Sequence, residues 1–135
     1  MRKIISLSLC LLLCVFTLSG CSKKGSEFVG TWRDTFYDKY PDLNPKYVPL
    51  LTLNTDGSAE WGAADKNTYE YTEAGTKGTW SILNEKDIRV ELKAVKTGAE
   101  FILECRLTDG ELQCDEIYEY DGALKHHSAI YKRVK

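Results

Sequence analysis

From position 28 to the C-terminus, apolar residues recur at every second position in short runs, and no window of eleven or more keeps an apolar period of 3.6. Alternation of this kind marks half-buried strands, because successive side chains of an extended chain point to opposite faces. Turn-forming residues interrupt the runs roughly every ten positions. The spacing predicts strands at about 28–37, 47–54, 58–63, 67–73, 77–83, 87–95, 99–107, 112–120 and 124–133. Every connection after the first is short enough for a hairpin. The expected fold is therefore all-β, an antiparallel up-and-down barrel of eight or nine strands. The stretch 38–49 carries Pro41, Pro45 and Pro49 and is expected as a long loop leading into an edge or strand start.

The hairpins set registers that can be tested against one another, since a one-residue slip turns every side chain to the other face. A three-residue loop with Gly57 left-handed pairs Asn54 with Ser58 and aligns Leu53 with Ala59 and Leu51 with Trp61. A loop at Asn84-Glu85-Lys86 sets Ile82 opposite Ile88 and Trp80 opposite Val90. The next, over 95–98, aligns Leu92 with Phe101 and Val90 with Leu103. A two-residue turn at Asp109-Gly110 places Leu107 opposite Leu112 and Cys105 opposite Cys114. At a non-hydrogen-bonded position the Cα atoms would be about 4.5 Å apart, close enough for a disulfide. Two buried free thiols are the alternative, and the spacing suits neither a Cys-x-x-Cys redox pair nor a four-ligand zinc site. At Asp121-Gly122 a two-residue turn brings Glu116 to His127 and Leu112 to Tyr131. A three-residue turn would instead send His126 and Ile130 inward.

The first 27 residues follow a different logic. Arg2 and Lys3 precede an apolar run over 4–18, which ends at Leu18-Ser19-Gly20-Cys21. This is the layout of an export signal, too short for a spanning helix. Leu-Ser-Gly-Cys resembles the lipobox of bacterial lipoproteins. That resemblance implies removal of residues 1–20 and attachment of a diacylglyceryl group to Cys21, with a palmitate-type acyl chain on the new amine. Residues 21–27 then read as a lipidated tether and 28–135 as the domain. Ser22 after the cysteine resembles the outer-membrane sorting pattern. The expected location is the bacterial cell envelope, with the protein held in the outer membrane by lipid. Export also favours oxidation of the cysteine pair.

The 18 basic and 20 acidic residues give a net charge of −2, which becomes −4 once Arg2 and Lys3 leave. An acidic body without a basic patch argues against nucleic acid as a partner.

The body opens with Val29-Gly30-Thr31-Trp32, repeats Gly78-Thr79-Trp80 and closes with Ile130-Tyr131-Lys132-Arg133. With Leu51–Ala59 between them, these segments resemble the bacterial lipocalin-like domains, of calycin type. The resemblance implies that Trp32 plugs a closed end and that Arg133 lies across it. It does not transfer a ligand.

The inner face assembled by the registers contains Trp61, Tyr69, Tyr71, Trp80, Phe101 and Tyr118. These aromatics either fill the barrel or line a ligand cavity. Glu116 sits between Cys114 and Tyr118, which makes it an inward carboxylate near His127 and a candidate to orient a polar ligand group. A bulge after Cys114 would instead put Glu116 in solvent and Ile117 inside.

His126 and His127, neighbours in a strand, cannot chelate together, and Asp34, Asp38 and Asp42 form no calcium loop. No metal or cofactor is expected. No nucleophile elbow, catalytic triad or phosphate loop appears, so the expectation is a binding protein and not an enzyme. Two functions compete. One is a small amphipathic or apolar ligand held in the barrel mouth. The other is an envelope protein partner, recognised or inhibited through the outer face and the 38–49 loop.

Overall fold

A computed structural model describes residues 24–73 and 75–134. The export leader and Cys21 lie outside the described residues. Eight strands follow in chain order: β1 Gly30–Asp34, β2 Tyr47–Leu53, β3 Ser58–Asp65, β4 Thr76–Ile82, β5 Asp87–Lys93, β6 Glu100–Thr108, β7 Glu111–Tyr120 and β8 Ala123–Arg133. Each pairs antiparallel with the next, and β8 returns to β1 through Trp32, Arg33 and Asp34, so the sheet closes into an up-and-down barrel.

Turn chemistry sets the register. Asp109 and Gly110 have φ of 52° and 78°, and Asp121 and Gly122 have 53° and 75°. Both residues of each turn are left-handed, which matches the twist of the strands they join. Cys105 therefore faces Cys114, and Glu116 faces His127. The two cysteines form a disulfide with Cα atoms 4.0 Å apart. The inward alternatives for His126 and Ile130 do not arise, because Tyr120 pairs directly with Ala123.

The strand expected at 67–73 is absent, and the barrel has eight strands. Asp65 accepts the backbone N–H groups of Asn67 and Thr68, and Tyr69 adopts a positive φ of 56°. Local side-chain to backbone bonds of this kind compete with a ladder and here end it. What survives is one bridge between Ala64 and Tyr71.

The inner face is packed by Leu51, Leu53, Ile88, Val90, Leu103, Leu112 and Tyr131, all of them buried. Outward positions carry cross-strand ion pairs such as Arg106–Asp87 and Arg89–Glu104. Exposed pairs of this sort contribute at most about 1 kcal/mol each.

The two ends differ. At one end the Trp32 indole donates to the Phe28 carbonyl at 2.9 Å. The Arg133 guanidinium lies 4.3 Å from the Trp32 ring centre and donates to the carbonyls of Val29 and Glu27. Phe28 is buried, and its N–H reaches back to the Gly25 carbonyl. Gly25, with φ of 85°, is pressed so close to Ile82 that a Cβ would stand 2.6 Å from its terminal methyl. Packing against the barrel thus begins at Gly25, within the stretch expected as a lipidated tether, and it seals this end. The opposite end, where β7 and β8 run past their neighbours, is the mouth.

Candidate functional site

Toward the mouth, the apolar lining gives way to a short chain of hydrogen bonds. Trp61 enters from β3 opposite Leu51, and its indole N–H donates to the Tyr131 hydroxyl at 2.9 Å. Tyr131, on β8, donates in turn to Glu116 Oε1 at 2.9 Å. The phenol is buried and uses both its donor and one acceptor position, so its ring is fixed. Glu116 stays in register on β7, between Leu103 and His127. No bulge follows Cys114, and Ile117 lies on the outer face opposite Ile102.

Phe101 packs edge-on against Trp61 with ring centres 5.3 Å apart. Tyr118, its ladder partner, is 40% exposed at the rim. Trp61 from β3 and Phe101 from β6 thus meet across the barrel, both half-buried, while Tyr118 stands exposed above them.

Asp34 supplies a second carboxyl that sequence reasoning missed. It ends β1 opposite Tyr131, is only 9% exposed, and accepts the Phe36 N–H at 2.8 Å. The signal was available, because Asp34 shares the inward parity of Trp32 on the first strand, but a lone carboxylate beside Asp38 and Asp42 reads more readily as part of a solvated loop. Those are not its companions. Asp38 instead takes a two-pronged bond from Arg33, at 2.8 and 2.9 Å, on the outer surface.

Burial raises the pKa of Glu116, because a carboxylate loses hydration there. The Tyr131 hydrogen bond and the nearby His127 oppose that rise. Burial also raises Asp34, against the Phe36 N–H and the same His127. Tyr131 is raised well beyond the ordinary phenol range, by burial first and then by the Glu116 charge, so it remains a proton donor at any working pH. Glu116, Asp34, Tyr131 and His127 thus share one electrostatic neighbourhood. Glu116 Oε2 takes no partner among the described residues and is available to a donor group.

The remaining expected wall residues lie elsewhere. Tyr71 packs on the outside of the barrel, where its hydroxyl meets Thr52 Oγ1 at 2.8 Å and its ring covers Gly62. Burial raises its pKa to about 12. Tyr69 lines an outer groove of 350 Å³ with Tyr37, Tyr40, Asn44 and Val48. Both were assigned inward on the assumption of a strand that does not form. Trp80 does face inward, but at the sealed end. Its indole donates to the Asn54 carbonyl at 2.9 Å, and its ring lies 6.3 Å from that of Phe28. His127 is on the inner face but exposed, and His126 points outward to Asp115 at 2.9 Å. No group of three or more candidate metal ligands occurs among the described residues.

A shallow groove of 590 Å³ runs along the outer face of β5 to β8, between Leu83, Arg106, Gln113 and Ile130. It shares no residue with the mouth.

No family model matches the chain, and no curated protein matches it. Among solved structures the chain aligns with the crystal structure of wild-type fluorescent protein UnaG, with 16% sequence identity and a TM-score of 0.41. The alignment covers 82% of this chain and 99% of that one. The strand pairing of the chain itself establishes its fold, an eight-stranded antiparallel up-and-down β-barrel.

Proposed function

We propose that the protein is a lipid-anchored cell-envelope binding protein that holds a small amphipathic ligand in the barrel mouth. One observation carries this reading. A half-buried aromatic edge, Trp61 and Phe101, stands directly beside a carboxylate oriented by the Trp61–Tyr131–Glu116 chain. An apolar body would lie on the rings while a hydrogen-bond donor or a cationic head met Glu116 and Asp34. Below that level the inner face is filled, so the ligand occupies the mouth and not the full barrel. The chemistry is that of recognition, with rings for an apolar body and a carboxylate for a donor or a cation.

Anchoring through Cys21 fits this arrangement. The chain is pinned to the sealed end from Gly25 onward, and the four steps from Cys21 to Gly25 span at most about 14 Å. A lipid on Cys21 would therefore hold the sealed end at the membrane and turn the mouth toward the aqueous compartment.

The test uses the chain from residue 22, which lacks the lipid, titrated with dodecylamine, dodecanol and dodecanoate while tryptophan emission is followed. Saturable change is expected, strongest for the amine, weakened in Glu116→Ala and lost from the signal in Trp61→Phe. Absence of saturable change with all three amphiphiles would sink the reading.

The second reading, a protein-binding module acting through the outer face and the 38–49 loop, is favoured by exposed Phe36, Tyr40 and Leu43 in and beside that loop. Alanine at all three would then abolish capture of an envelope partner by cross-linking, and retention of every cross-linked species would refute it.

A further inference from the structure

β1 ends at Asp34, opposite Tyr131, whereas β8 begins at Ala123. Among the described residues, 123–130 therefore have β7 on one side and no strand on the other. The direction of their main-chain groups follows from the pairs below them. The Thr35 N–H donates to the Ile130 carbonyl at 2.9 Å, so the polar groups of Ile130 face the β1 side. With a period of two, so do those of Ser128, His126 and Leu124. Their N–H and C=O groups form a free ladder edge, and residues 123–128 are all exposed.

β2 outruns β1, because its last pair at that end is Leu50 with Arg33 while the strand starts at Tyr47, and the same registers set Tyr47 level with Ala129. Residues 123–128 therefore project past β2 as well and form an open edge. After Asp34 the chain leaves the line of β1. It turns through two short 3₁₀ segments, Phe36–Lys39 and Pro41–Leu43, with Asp38 tied to the outer side of Arg33.

We propose that this free edge of β8 receives an extended segment of a partner protein, added antiparallel to β8 in the line of β1, with a lysine or arginine side chain reaching into the mouth. Main-chain bonds to Leu124, His126 and Ser128 would supply the docking, as in strand addition at other exposed sheet edges. Charge supplies the choice of side chain. An inward residue opposite His127 projects toward Glu116, whose Oε2 takes no partner among the described residues, with the Asp34 carboxyl two inward positions deeper, opposite Tyr131.

Two-fold pairing about His126 would set the Lys125 of a second copy in this same position opposite His127, so a second copy is the competing occupant, which a dimer lost in His126→Pro would reveal.

The probe is a labelled peptide of alternating valine and threonine, about eight residues long, with one central lysine. Its anisotropy is measured against the full chain in lipid nanodiscs. Saturable binding is expected, at least ten-fold weaker when the lysine is replaced by glutamate, and lost when alternate peptide amides are N-methylated. Binding should also be lost in His126→Pro. Proline there removes an N–H that faces the vacant side, together with the outer His126–Asp115 contact, and leaves the main-chain ladder between β7 and β8 intact. Because the N-methylated peptide is tested on the unaltered protein, the outcome does not depend on that variant folding. Four results would overturn the proposal: no binding, equal binding of the lysine and glutamate peptides, retained binding of the N-methylated peptide, or a dimer that His126→Pro dissociates.

Discussion

Reducing the Cys105–Cys114 disulfide isolates a single term in the stability of this barrel. The cysteines are nine positions apart and only 2% and 4% exposed. Opening the bond leaves both sulfurs where they pack, so the change falls mainly on the unfolded chain. Closing a ten-residue loop removes about 9 cal/mol/K of chain entropy, or about 2.7 kcal/mol at 25 °C. Unfolding a domain of about 110 residues carries an entropy of about 0.23 kcal/mol/K near its midpoint, so reduction should lower Tm by about 12 °C. A chain starting at residue 22 has no other cysteine, which makes dithiothreitol a clean perturbation. The assay is a circular-dichroism melt with and without reductant, with reduction verified by mass. A fall below about 3 °C in fully reduced protein would refute the loop-constraint argument.

Gly78→Ala should cost about 3 kcal/mol or more in a denaturant melt, because the new Cβ would lie 1.7 Å from the Glu91 carbonyl oxygen and β4 and β5 would have to part. Gly110→Ala, with open space around it but φ of 78°, should cost only about 1–2 kcal/mol. Arg133→Ala should lower stability by about 1–2 kcal/mol through loss of the cation over Trp32 and of two backbone contacts, and lysine should restore only part of it. For Glu116, the raised pKa means that the folded state holds its proton more tightly than the unfolded chain. Its stabilising contribution is therefore present below the ordinary carboxylate pKa and is lost as pH rises through the folded value. Glu116→Gln, which still accepts from Tyr131, should flatten the decline of Tm above about pH 4.5, while an unchanged slope would show that the carboxylate is not desolvated. Asp87 runs the other way. Arg106 holds it at about 2, so its contribution is lost as pH falls toward that value, and Asp87→Asn should flatten the acid limb, most visibly at low salt.

The hairpin registers were legible because each rests on local chemistry. Asp109-Gly110 and Asp121-Gly122 can take the left-handed pair that a two-residue turn needs, and the period of two carries that choice along both strands. Cys105 therefore meets Cys114, and Glu116 meets His127, with no information from distant parts of the chain. Tyr69 and Tyr71 were misplaced because their alternation resembles a strand, while Asp65 offers its carboxylate to the following N–H groups and ends the ladder. Asp34 shares the inward parity of Trp32, but its burial beside Tyr131 and Glu116 depends on β8 closing against β1, which no local signal marks.

What the sequence determined by itself is the local part of this protein: strand periodicity, turn type, inward parity and the pairing of the two cysteines, all set by residues within about ten positions of one another. Tertiary structure alone decided which inward residues sit deep, at the sealed end or at the mouth. Trp80 and Trp61 have the same parity, yet one is covered by Phe28 and the other bonds Tyr131 beside the opening. It also decided that β1 stops at Asp34, leaving a carboxyl in the mouth and the β8 edge without a neighbour. These outcomes depend on closure of the barrel, which brings together residues about a hundred positions apart, and parity carries no information about depth along the barrel axis.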